Sequence, residues 1–139
     1  MAISISSEQA LIAAARAAAV HAYAPYSRFT VGAAVLTAEG TIHAGCNVEN
    51  ASYGLTICAE RNAVFQAVAH HAGVPRLVAV AIYTPTPLPT APCGACRQVI
   101  NEFGPDALVI SVCDGPSEIR SSLDHLLPHA FGPENLSAP

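Results

Sequence analysis

Two short stretches carry residues able to do chemistry: Cys58-Ala59-Glu60 and Pro92-Cys93-Gly94-Ala95-Cys96. Together they offer three thiolates to one metal ion and leave a carboxylate two residues beyond the first sulfur. Three protein ligands rather than four mark a catalytic zinc, because the fourth position stays open for water. Glu60 is then not a ligand. It can lean over the open position and carry a proton between water and substrate, a role typically worth ~10²–10⁴-fold in rate. A plainer role for Glu60 is to complement the dipole at a helix N-terminus. The nearby Cys93 and Cys96 favour the proton carrier.

A Cys-x-x-Cys pair alone also fits a redox motif, and the upstream Cys-Ala-Glu tips the balance toward metal. A structural zinc knot wants a fourth cysteine or histidine. Cys46 and Cys113 are available, but each falls in an apolar strand and reads as a buried, inert thiol. The histidines at 21, 43, 70, 71, 125 and 129 follow no ligand spacing.

The elements that must position these groups follow from the pattern. A helix capped by Ser6 or Ser7, with Glu8 in its first turn, runs to about Tyr23 before Pro25 stops it. Val31–Leu36 and Thr41–Cys46 read as strands joined by a turn at Glu39-Gly40. A helix spans Cys58 to about Ala72, closed by Gly73 and Pro75. Leu77–Tyr83 is a continuous apolar strand covered on both faces. Prolines 85, 87, 89 and 92 impose an extended loop. A helix follows over Cys93–Phe103, then a strand over Leu108–Cys113 and a short helix over Ser121–Leu127. This order predicts an α/β fold with one sheet between helices, in a single domain over residues 1–139.

Both cysteine groups fall at helix starts, where free N–H groups and the positive helix end stabilise thiolates. Three thiolates around a divalent ion still leave net negative charge. Arg61 and Arg97 each directly follow a site residue and can donate hydrogen bonds to sulfur, which tunes both ligand and metal. The alternative for each arginine is a solvated position on its helix.

The bulk properties narrow the partners. With 52% apolar residues, 12% charged residues and a net charge of −4, the chain is globular and offers no basic surface for nucleic acid. Ala10–Ala24 is broken by Arg16 and His21 and is too short to span a bilayer. Met1–Gln9 shows no secretory pattern. The expectation is a cytoplasmic, reducing compartment, where clustered thiols bind metal rather than pair. So large an apolar fraction in 139 residues also predicts a homo-oligomer.

The chain resembles the small homotetrameric cytidine deaminases of nucleoside salvage. The resemblance is carried by Tyr26-Ser27-Arg28-Phe29, Val31-Gly32-Ala33-Ala34, Gly45-Cys46-Asn47-Val48-Glu49-Asn50-Ala51-Ser52-Tyr53-Gly54, Cys58-Ala59-Glu60-Arg61, Pro92–Val99, Leu126-Leu127-Pro128 and Phe131-Gly132-Pro133. It implies a three-layer α/β/α fold with one mixed central sheet. It implies zinc on Cys58, Cys93 and Cys96, with Glu60 shuttling protons and Arg61 supporting the sulfurs. The Asn47-Val48-Glu49 clamp would hold the ribose, with Asn47 and Glu49 on its 3′-hydroxyl. Phe29 would pack beside the nucleoside. The Ala59 N–H would bond the pyrimidine 2-oxo group, and the Ala91 carbonyl would face the leaving ammonia. Ala51, Tyr53 and Phe131 match residues donated by neighbouring subunits, so each active site of a tetramer would be shared. The implied reaction converts cytidine or 2′-deoxycytidine to the uridine nucleoside and ammonia.

Two positions depart from the pattern: Asn62 where threonine is common, and Tyr83-Thr84 where the strand often ends in an acidic residue. A blasticidin-type deaminase shares the metal motif but lacks the Asn-Val-Glu-Asn segment and the Phe-Gly-Pro end. Nucleic-acid deaminases use His-x-Glu with a basic channel. A non-enzymatic zinc module would need a closed four-ligand site and would leave Glu60 without a task.

Overall fold

The computed structural model describes residues 2–137. Helix α1 (Ile5–Ala19) precedes strands β1 (Gly32–Thr37) and β2 (Ile42–Cys46). Helix α2 (Ala59–His70), β3 (Leu77–Tyr83), α3 (Gly94–Phe103), β4 (Leu108–Val112), β5 (Ile119–Ser122) and the one-turn α4 (Leu123–Leu126) follow. The sheet runs β2-β1-β3-β4-β5. β1 is antiparallel to β2 and β3, β3 and β4 are parallel, and β5 returns antiparallel to β4. This is a mixed sheet with helices on both faces, as the resemblance implied.

Alternation along β1 divides the core. Ala33 and Val35 face a cluster with Ala63, Val64 and Ala67 of α2 and Ile100 of α3. Ala34 and Leu36 face the opposite side, against Leu11 and Ala15 of α1. Leu11 is fully buried, and burying a side chain of that size contributes about 1.5–3 kcal/mol. Two glycines set the layer spacing. A Cβ on Gly32 would come within 1.9 Å of the Ala15 carbonyl oxygen, and one on Gly45 within 2.5 Å of the Ala63 nitrogen. Without side chains at these two positions, α1 seats on β1 and α2 on β2.

Several boundaries differ from expectation. Ser4, rather than Ser6 or Ser7, caps α1 by accepting from the Ser7 N–H at 3.1 Å. The helix ends at Ala19 and not near Tyr23, because Tyr23 is taken up by the 47–49 segment. Its N–H donates to the Asn47 carbonyl and its carbonyl accepts from the Glu49 N–H. The predicted helix over Ser121–Leu127 begins only at Leu123, since Ile119–Ser122 pairs with β4 as an edge strand. That strand shows no apolar alternation of its own. Its Arg120 Nη1 bonds Glu8 of α1 at 3.1 Å, and a charged side chain is common on such edges.

Candidate metal centre and active site

The three cysteines converge because two helices start at the same place. Cys58 is the N-cap of α2, Cys93 is the N-cap of α3, and Cys96 lies in the first turn of α3. α3 belongs to the crossover between the parallel strands β3 and β4, so its N-terminus lies beyond the carboxyl end of β3. Sites in α/β sheets form in that region. The three Sγ atoms lie within 4.8 Å of one another, and those of Cys58 and Cys93 are 3.9 Å apart. Sulfurs bound to one tetrahedral zinc at about 2.3 Å are separated by roughly 3.8 Å. The donor set therefore fits a zinc ion with little rearrangement. Among the described residues no fourth cysteine, histidine or carboxylate ligand joins the group.

The electrostatics match that use. The neighbouring Cys96 sulfur, and then the Arg61 guanidinium, draw the Cys58 thiol well below the usual thiol range, toward the thiolate form. Arg61 Nη2 donates to Cys58 Sγ at 3.3 Å. Its Nε is buried without a partner. Arg97 serves otherwise. Its Nε donates to the Pro92 carbonyl at 2.8 Å and its Nη1 to the Leu126 carbonyl at 3.0 Å. It ties the loop before α3 to the C-terminal segment and leaves the sulfurs alone.

Glu60 is only 5% exposed, and burial pushes its carboxyl up. The Cys96 thiol donates to its Oε2 at 3.0 Å. Cys96 is pushed up by its hydrogen bond with Cys58, by burial and by Glu60. Cys96 would give up this thiol proton on holding a divalent cation, since the thiolate is the ligand form. The Glu60 carboxyl is held against Cys96 of the cysteine cluster.

A cavity of about 290 Å³ opens over this centre. Its wall contains Cys58, Cys93 and Glu60, together with Phe29, Asn47, Glu49, Ala59 and Ala91. It also contains Ser27, Val31, Thr56 and Thr90, which the sequence motifs did not single out as site residues. Ser27 and Val31 lie within recognised motifs, and Thr56 and Thr90 stand two and three residues before Cys58 and Cys93. Asn47 is buried with both ends of its carboxamide engaged. Its Oδ1 accepts from the Val31 N–H at 2.9 Å and its Nδ2 donates to the Phe29 carbonyl at 2.7 Å. One N–H remains for a ligand. Glu49 accepts from the Tyr26 and Ser27 N–H groups and from the Ser27 hydroxyl.

The remaining candidates lie elsewhere. Val48 is exposed and lines a larger groove between α1, β2 and α2. Its backbone exchanges two hydrogen bonds with Ile57, which holds the approach to Cys58. Ala51, Tyr53 and Phe131 are exposed and do not line the cavity of their own chain. Tyr53 packs against Tyr26 with ring centroids 5.6 Å apart. The Phe131 carbonyl accepts from Gln98 Nε2 at 2.8 Å. The two departures also have partners. Asn62 Nδ2 donates to the Cys46 carbonyl at 2.8 Å, and the Tyr83 hydroxyl donates to Asp114 at 2.6 Å.

Comparison with known proteins agrees with this geometry. Residues 5–112 match the family described as the cytidine and deoxycytidylate deaminase zinc-binding region. A cytidine deaminase of Sporosarcina psychrophila is 46% identical over 128 residues, covering 91% of this chain and 93% of that protein. One from Mycobacterium tuberculosis H37Rv is 49% identical over 119 residues, covering 86% of this chain and 85% of the relative. Among solved structures, cytidine deaminase from Burkholderia pseudomallei superposes with a TM-score of 0.82 at 50% identity, over 88% of this chain and 98% of its own. The Mycobacterium tuberculosis cytidine deaminase structure gives a TM-score of 0.76 at 44% identity, over 90% and 97%.

Proposed function

This chain belongs to the zinc-binding cytidine and deoxycytidylate deaminase family, and from that membership we propose how its own residues convert cytidine to uridine and ammonia. A zinc ion on Cys58, Cys93 and Cys96 supplies a Lewis acid and a water acidified enough to act near neutral pH. Glu60 takes one proton of the attacking water and delivers it to ring N3. It then takes the second, left on the new C4 hydroxyl, and hands it to the amino group, so that the C4–N bond breaks, ammonia leaves and the C4 carbonyl forms. The burial of Glu60 keeps solvent from competing for these protons. The Ala59 N–H, in the first turn of α2 where intrahelical partners are missing, holds the 2-oxo group. The Ala91 carbonyl accepts from the departing amino group.

The sugar is read by Asn47, Glu49 and the ring of Phe29. An amide and a carboxylate hydrogen-bond a neutral hydroxyl, and the carboxylate repels a phosphate placed against it, so this subsite takes an unphosphorylated 3′-hydroxyl. Recognition at the 3′ position leaves the 2′ position open, and 2′-deoxycytidine is also a substrate in this reading. Residues 1–139 act as one catalytic domain. The exposure of Tyr53 and Phe131, 74% and 59%, supports a homotetramer in which they complete a neighbour's site. Cysteines kept as metal ligands suit a reducing cytoplasm and a role in pyrimidine salvage. No helix among the described residues is long and apolar enough to cross a membrane.

The observation that carries this reading is the buried Glu60 carboxyl, 3.0 Å from Cys96 of the three-cysteine cluster, in the wall of the cavity that Cys58 and Cys93 also line. Loss of cytidine ultraviolet absorbance on adding purified protein tests it. Turnover should stop when a chelator removes the metal and return when zinc is added back. A zinc-loaded sample that leaves cytidine unchanged would refute it.

A further inference from the structure

Ser27 sits between two walls of the cavity and touches both. Its hydroxyl accepts from the Phe29 N–H at 3.0 Å and donates to Glu49 Oε2. A serine accepting from the N–H two residues on is an ordinary local turn. The bond to a carboxylate from a distant strand exit is not part of such a turn. It is also the one bond to Oε2 among the described residues, since the Tyr26 and Ser27 N–H groups both go to Oε1 at 2.9 and 3.1 Å. Arg28, between Ser27 and Phe29, lies at φ +57, in the left-handed region that costs a non-glycine residue. The Ser27–Phe29 bond closes across it. Asn47 Nδ2 gives Phe29 a second anchor, so Glu49 Oε2 depends on Ser27 more than Phe29 does.

We propose that Ser27 is a positioning residue of the sugar subsite, aiming the free face of the Glu49 carboxylate at the nucleoside 3′-hydroxyl. This rests on Glu49 contacting that hydroxyl. A carboxylate anchored through one oxygen alone can pivot about it. The second anchor sets the direction of the remaining lone pairs and keeps the group ionised. The Ser27 bond is also the first reason why Glu49 titrates below the usual carboxylate range.

The experiment compares wild type, Ser27→Ala and Ser27→Thr on cytidine and on 3′-deoxycytidine. Ser27→Ala should raise KM for cytidine about tenfold, the scale of one hydrogen bond to a charged group. KM for 3′-deoxycytidine and kcat for both substrates should move less than about twofold. Ser27→Thr keeps the hydroxyl and should return the cytidine KM to within about threefold of wild type. An unchanged cytidine KM, or an equal loss on both substrates, overturns the role of Ser27 while wild type still prefers cytidine. A wild type that treats the two substrates alike overturns the Glu49 contact itself, and the proposal with it.

Discussion

Cys96 Sγ and Glu60 Oε2 lie 3.0 Å apart across the junction of two helices. In the proposed reading Cys96 holds the metal and Glu60 carries the proton, and the fold keeps the two side chains in contact. The two side chains come from the first turns of α2 and α3, so the distance between them is set by how these helices pack.

Glu60→Gln keeps the volume and removes the transferable proton. Turnover of cytidine should fall by ~10²–10⁴-fold, while zinc content by elemental analysis stays at one equivalent per chain, as in wild type. Near-wild-type turnover in this variant would remove Glu60 from the proton path.

Arg61→Ala removes the donor on Cys58 Sγ. Support of this kind around a metal ligand is typically worth ~10–100-fold in affinity. Competition against a chelator should show a loss of that size. Arg97→Ala should leave zinc affinity alone and lower the melting temperature, because among the described residues its guanidinium bonds the Pro92 and Leu126 carbonyls and no sulfur.

Gly45→Ala forces a methyl to within 2.5 Å of the Ala63 nitrogen. Backbone cannot yield as a side-chain tip does, so α2 must lift from β2. Overpacking of this kind costs about 1–3 kcal/mol, read by urea denaturation. Cys58 and Glu60 travel with the start of α2, so activity should fall even at temperatures where the variant stays folded.

A pH dependence follows from the half-buried His71 and the exposed Glu39, whose Nε2 and Oε2 are 3.1 Å apart. The Glu39 bond raises the folded pKa of His71 above its ordinary value. The stabilisation is therefore complete below the unfolded value, about 6.5, and fades as pH rises through the higher folded value. Glu39→Gln should lower the urea midpoint at pH 6 and leave it near wild type at pH 9. A loss of equal size at both pH values would show that the charge pair is not responsible.

The grouping of three cysteines with a nearby glutamate was readable from the chain because it depends on local chemistry. A cysteine at a helix start, a second three residues on and a glutamate two residues past the third are placed by helix geometry whatever the rest does. β3 was read to the residue for a similar reason: seven apolar positions in a row have few other uses. Tertiary structure decided what two distant segments do to each other. It ended α1 at Ala19 by capturing Tyr23, and it drew Ile119–Ser122 into the sheet although that stretch has no strand pattern of its own. It sent Arg61 to a sulfur and Arg97 to carbonyls, though both follow a site residue in the chain. It also brought Ser27, Thr56 and Thr90 to one cavity. Spacing along a chain sets which residues share a turn, while which surfaces meet across the sheet depends on packing, and packing depends on side chains far apart in sequence.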